Sequence, residues 1–247
     1  MKPGTLKQIL LITDGCSNVG EDPVAMAALA SEDGISVNVI GVMEEDTIDE
    51  KGMNEIESIA ASGGGVSQVV YAKALSQTVQ MVTRKAMTQT IQGVVNKELQ
   101  QILGSEVSME ELPPEKRGEV MEVVDELGET VDLNVLILVD TSASMKRKLP
   151  TVKESLVDLS LSLNARMGNN QFALFVFPGK KKDVEKLQDW TPKLESLTNH
   201  FHKLHVGGVT PTGPAIQTAI DHFSKKQRSL RNLLGRDDNE SSIEESV

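Results

Sequence analysis

Three short stretches set small oxygen-bearing side chains where an apolar run gives way to a polar loop: Asp140-Thr141-Ser142-Ala143-Ser144, Thr210-Pro211-Thr212-Gly213 and Thr13-Asp14-Gly15. Asp14 and Asp140 each come directly after such a run. Two carboxylates and several hydroxyls make an all-oxygen donor set of low charge. That set suits a hard divalent cation, Mg2+ or Mn2+, which binds through one or two carboxylates, keeps water and leaves room for an outside ligand. It needs neither thiolate nor imidazole, which points away from zinc or copper. The candidate metal ligands are Asp14, Asp140, Ser142, Ser144 and Thr210. Residues of these types also cap helices, so Asp140-x-Ser142-x-Ser144 alone reads as caps and turns. The three stretches together, each between a strand and a helix, carry the metal reading. Thr212 reads as a cap for the last helix and stays outside the set.

Other reactive residue types carry less. His200, His202 and His205 fall on a helical pattern at a spacing that does not bring the three rings together, since facing pairs lie three or four residues apart. Cys16 follows Asp14, whose charge would raise rather than lower a thiol pKa, so it reads as a loop residue. Lys146, Arg147 and Lys148, with Glu44, Glu45, Asp46, Asp49 and Glu50, read first as solvated loop charge. The sharper reading is a mixed-sign rim that helps select a partner.

The elements that must position the ligands follow from hydrophobic spacing. Ile9–Ile12 is a continuous apolar run ending at Asp14, as in a buried parallel strand. A helix is expected after Pro23, ending at Gly34, then a strand over Ile35–Val42. Met53, Ile56, Ile59 and Ala60 have helical spacing, Gly63-Gly64-Gly65 ends that helix, and Val66–Tyr71 is the third strand. Helical patterns then run from Leu75 to Ile102 and from Val120 to Leu127, ending at Gly104 and Gly128, with a turn or short helix capped by Ser108 between them. The second half opens on the strongest strand, Leu133–Val139, followed by a helix through Val152–Leu163 and a strand over Gln171–Phe177. Lys186–Trp190 reads as a short edge strand limited by Pro192. A helical pattern from Leu194 towards Leu204 and a last helix through Ala215–Phe223 complete the domain, and 236–247 reads as a disordered acidic tail. The alternation predicts an α/β fold: an open, mostly parallel, doubly wound sheet with helices on both faces. In such sheets ligands gather beyond the carboxyl ends of the strands, at the switch point.

Composition limits the rest. At 247 residues the chain can bury a sizeable core, and with 3% aromatic residues aliphatic side chains and Met must fill it. A net charge of −11 repels phosphate backbones, so nucleic acid is not expected as a partner. One cysteine excludes an internal disulfide, no segment approaches the about 18 apolar residues of a membrane span, and the N-terminal run is too short for a signal peptide. The expected location is the cytoplasm.

Asp140-x-Ser142-x-Ser144, Thr210 within Gly-Gly-Val-Thr-Pro-Thr-Gly, and Leu11-Ile12-Thr13-Asp14-Gly15 resemble the three parts of the metal-ion-dependent adhesion site of von Willebrand factor type A domains. Ile59–Gly65 ahead of a strand is similar to the family's penultimate helix and last strand, and Ser144-Met145 ahead of an amphipathic helix is also usual there. One departure stands out. In the family the Asp-x-Ser-x-Ser segment comes first and the Thr-Asp-Gly aspartate last, whereas here the order is reversed. The chain thus resembles a circularly permuted, bacterial-type cytosolic member with a Rossmann-like fold. Residues 6–85 would form the family's second half and 132–226 its first, joined by a helical connector at 86–131. The resemblance implies that Asp140 gives a carboxylate, Ser142 and Ser144 their hydroxyls, and Thr210 and Asp14 bind directly or through water. It also implies a protein partner whose Asp or Glu completes the metal's coordination, and no enzyme activity. The alternative is a Mg2+-dependent phosphoryl-transfer or hydrolytic enzyme with Asp140 as nucleophile. No phosphate-binding loop supports it, and no acid or base is clearly placed. Whether the halves close in one chain or exchange between two as a swapped dimer is open at this level.

Overall fold

The computed structural model describes residues 4–43, 50–103, 109–194, 201, 204 and 206–241. The strands are β1 (Thr5–Thr13), β2 (Ile35–Met43), β3 (Ser67–Tyr71), β4 (Asp132–Asp140), β5 (Asn170–Phe177) and β6 (Glu185–Thr191). The helices are α1 (Pro23–Glu32), α2 (Glu50–Ser62), α3 (Leu75–Leu103), α4 (Pro114–Thr130), α5 (Leu149–Leu163) and α6 (Thr212–Ser241). The six strands form one sheet in the order β3-β2-β1-β4-β5-β6. Neighbours are parallel except β6, which runs antiparallel to β5 at the edge. The fold class is the α/β sheet expected from the sequence.

Burial on both faces explains the continuous apolar runs Ile9–Ile12 of β1 and Val135–Val139 of β4. Alternate side chains serve opposite cores. Leu10 and Ile12 of β1, with Val135, Ile137 and Val139 of β4, pack under α3, α4 and α5. Ile9 and Leu11, with Leu136 and Leu138, pack under α1, α2 and α6. The chain winds from β1 outward through β2 to β3, and from β4 outward through β5 to β6. The switch point therefore lies between β1 and β4, which pair within the chain from Thr5↔Asp132 to Ile12↔Val139.

The connector is better integrated than its sequence suggests. α3 runs unbroken across 85–86, and Ala86, Met87 and Ile91 beyond that point are core residues. α4 starts at Pro114, ahead of the expected Val120, because Pro is favoured in a first helical turn. It also continues past Gly128, which is buried within the helix, to Thr130. Arg166 secures this end: its guanidinium donates to Gly128 O, Val131 O and Asn170 Oδ1, each at 2.7 Å. Burial lowers the Arg166 pKa from its usual value.

At the other edge, Lys226 of α6 lies 4.0 Å from the centre of the Trp190 ring and donates to Asn134 Oδ1 at 2.8 Å. The backbone of α6 stays helical past Arg236 to Ser241, into the segment expected to be disordered, because each residue added to an existing helix closes another hydrogen bond. Ser108, the remainder of the tail and most of the pattern between Leu194 and Leu204 fall outside the described residues. Among the described residues no helix is long and apolar enough to cross a membrane.

Candidate metal centre

The carboxyl ends of β1 and β4 bring together residues far apart in sequence. Asp140 closes β4 with no exposed surface. Its Oδ1 accepts from the Ser142 backbone N–H at 2.7 Å, and its Oδ2 accepts from the Thr13 hydroxyl, also at 2.7 Å. The Ser142 and Ser144 hydroxyl oxygens are 3.1 Å apart. The Ser144 hydroxyl donates to Asp14 Oδ1 at 2.8 Å. Lys148 Nζ donates to Asp14 Oδ2 at 2.5 Å. Asp140, Ser142, Ser144 and Asp14 thus form one hydrogen-bonded run across the switch point, joined at Asp140 by the Ser142 N–H and closed at one end by Thr13 and at the other by Lys148.

Local structure explains the arrangement. The parallel register places Thr13 beside Asp140, so the last residue of β1 supports the last of β4. A single 3-10 turn over Ala143–Met145 follows Ser142, with the Met145 N–H bonded to Ser142 O. Lys148 N–H then bonds to Met145 O at 2.8 Å, folding the chain back so that its side chain reaches Asp14.

Burial pushes the Asp140 carboxyl above its ordinary pKa. The Ser142 N–H, the Thr13 hydroxyl and the Ser142 hydroxyl oppose that rise, while the nearby Asp14 charge adds to it. Donors hold the Asp140 carboxyl while burial disfavours its charged form.

Thr210 is tied through its main chain to the loop that follows Asp14. Its N–H donates to Asn18 Oδ1 at 2.8 Å, and its carbonyl accepts from the Ser17 hydroxyl and the Asn18 N–H, each at 3.2 Å. Ser17 N–H in turn bonds to Glu55 Oε1 of α2 at 2.7 Å, and Gly207 N–H to Thr141 O at 3.0 Å. The loops carrying Asp14, Thr210 and Asp140 are therefore laced together by backbone bonds. Thr210 is buried, and among the described residues no hydrogen bond joins its hydroxyl to the Asp14–Asp140 run. Two glycines allow the loops to close. A Cβ on Gly213 would run into the Glu21 carbonyl oxygen, and Gly20, at φ +90°, lies against Pro214.

The donor set, two carboxylates and serine hydroxyls in contact, fits a hard cation. Among the described residues no three His, Cys, Asp or Glu side chains gather as a metal cluster. His200, His202 and His205 lie outside those residues, as do Glu44, Glu45, Asp46 and Asp49. Two sequence readings need correction. Lys148 is not solvated rim charge like the exposed Lys146 and Arg147: its side chain is only 7% exposed and that of its partner Asp14 3%. Thr212 does not cap α6, since its hydroxyl is buried and has no hydrogen-bond partner among the described residues. The lysine carried no sequence signal of its own, because its role depends on a turn that redirects it.

Models of the von Willebrand factor type A domain match the chain twice, over residues 1–85 and over 135–238. The chain belongs to the von Willebrand factor type A family. Within this family it is similar to the uncharacterized protein YabS of Bacillus subtilis (strain 168). The two are 69% identical over 238 residues, covering 96% of this chain and 97% of YabS. A crystal structure of an uncharacterized protein from Alicyclobacillus acidocaldarius subsp. acidocaldarius DSM 446 has the same architecture at 42% identity. Its TM-score is 0.84, with 92% of this chain and 97% of that one covered. The two matched segments of this von Willebrand factor type A chain each contribute one of the central strands, β1 and β4, and hence one of the two aspartates.

Proposed function

We propose that this chain is a metal-dependent protein-interaction module that binds Mg2+ or Mn2+ through Asp14, Asp140, Ser142, Ser144 and Thr210. The observation that carries the reading is the hydrogen-bonded run from Asp140 through Ser142 and Ser144 to Asp14, drawn from the ends of β4 and β1, which lie far apart in sequence. When bound, the metal supplies an electrophilic position that accepts an Asp or Glu carboxylate from a partner protein. Thr13 and the Ser142 N–H hold the Asp140 carboxylate in place, and main-chain bonds tie Thr210 to Ser17 and Asn18 in the loop that follows Asp14.

In the same reading the chain is circularly permuted. The halves that the family usually writes in one order are joined in the other, with α3 and α4 as the new connection. Closely spaced termini in a compact domain make such a rearrangement tolerable. We assign the chain no catalytic step, and we place it in the cytoplasm on the sequence grounds above.

Calorimetry with Mg2+ and capture of partners from native extract test the proposal. Wild type is expected to bind Mg2+ and to release captured protein on addition of EDTA, and Asp140→Ala to do neither. Partner capture that persists both in Asp140→Ala and in EDTA would sink the reading.

A further inference from the structure

The buried Lys148–Asp14 pair does not follow from the donor set, which needs only oxygen atoms. Lys148 Nζ sits on Asp14 Oδ2, while Asp14 Oδ1 faces the Ser144 hydroxyl. The two ends of one carboxylate thus serve different partners: one faces the lysine, the other the run of oxygens leading to Asp140. Both side chains are almost fully enclosed, so solvent screens their attraction only weakly. A lysine is rarely enclosed unless it is paired, and here the paired carboxylate is a proposed metal ligand.

We propose that Lys148 is a built-in counter-cation that cancels the charge of Asp14 and thereby makes the metal-loaded site selective for an anionic partner. The inference rests on the metal-dependent reading above. The charge count at the site is short. Asp14 and Asp140 give two negative charges and Lys148 one positive, leaving one negative charge in the metal-free site. A divalent ion turns that into one positive charge, and a single carboxylate from outside restores neutrality. Without Lys148 the two aspartates alone would neutralise the ion, and an arriving carboxylate would make the site negative. Lys148 therefore weakens metal binding on its own and enlarges the gain in metal binding that a carboxylate brings. It also holds Asp14 with Oδ1 turned towards the serines, as a positioning residue rather than a ligand.

The test is Mg2+ titration by calorimetry, and Mn2+ titration by electron paramagnetic resonance, with and without acetate as the carboxylate probe. In wild type, acetate is expected to tighten apparent metal binding. Lys148→Met is expected to bind Mg2+ without acetate about tenfold more tightly or better, because a unit charge a few ångströms from a divalent ion is removed. It is also expected to lose the acetate effect. Lys148→Arg keeps the charge and is expected to behave like wild type, which a purely structural role for the side chain would not require. Equal Mg2+ affinity in wild type and a folded Lys148→Met would overturn the inference while leaving the metal site standing. Absence of any acetate effect in wild type would overturn it without recourse to a variant. Metal binding by neither wild type nor Lys148→Met would overturn both this inference and the reading on which it rests.

Discussion

Thr13→Val tests whether Asp140 is held as a buried, ionised carboxylate. The substitution keeps the branched shape and removes one hydroxyl. In the structure that hydroxyl donates to Asp140 Oδ2 at 2.7 Å, while Oδ1 accepts from the Ser142 N–H and the Ser142 hydroxyl also supports the carboxylate. A hydrogen bond to a charged group contributes about 1.5–3 kcal/mol, and the acceptor left behind has no access to water. The added methyl surface offsets less than about 1 kcal/mol. A net loss of about 1–2 kcal/mol is therefore expected in EDTA, measured by urea unfolding, against a total of about 5–15 kcal/mol for a domain. The same loss should depend on pH. Burial already holds the Asp140 carboxyl above its ordinary value, and removing a donor to the ionised form raises it further. A carboxyl raised on folding binds more protons in the native state, so its contribution to stability is full below the unfolded value of about 3.9 and is lost as pH rises through the native one. The deficit of Thr13→Val should accordingly be largest near neutrality and begin to shrink while the pH is still above about 3.9. Supporting groups around metal ligands typically set affinity by about 10–100-fold, so Mg2+ binding should weaken by that order. A deficit below about 0.5 kcal/mol at neutral pH, with unchanged Mg2+ affinity, would refute the placement of Thr13 against an ionised Asp140.

Two further predictions concern the frame around the site. Arg166→Ala removes three donors at once and leaves the Gly128 and Val131 carbonyls and Asn170 Oδ1 without them, so a loss of about 3–5 kcal/mol in urea unfolding is expected; a change under about 1 kcal/mol would show that Arg166 does not secure α4. Burial lowers Lys226 to about 8. The unfolded chain, with an ordinary lysine near 10.4, then holds more protons between those values, and stability should rise as pH increases across that window. Lys226→Met should flatten the rise, and an unaltered slope would count against the burial of the amine.

The α/β class, the apolar central strands and the three oxygen-bearing segments were legible in the sequence because each depends on local spacing. A run such as Leu133–Val139 can be so apolar only if both of its faces are covered, and a loop of small polar residues after it marks a strand end. Other features were decided by contacts between distant residues. The pairing of β1 with β4 puts Thr13 against Asp140 across 127 positions of sequence, which no local pattern encodes. Likewise the 3-10 turn after Ser142 and the burial of Asp14 turn Lys148 from apparent loop charge into the partner of a proposed ligand. The continuity of α3 into the core belongs to the same class, since a helix reads as a connector until the surface it covers is known. Sequence determined which side chains could bind a cation, because donor chemistry belongs to residue type. Tertiary structure decided which oxygens face one another and where the balancing positive charge lies, because both depend on long-range register and burial.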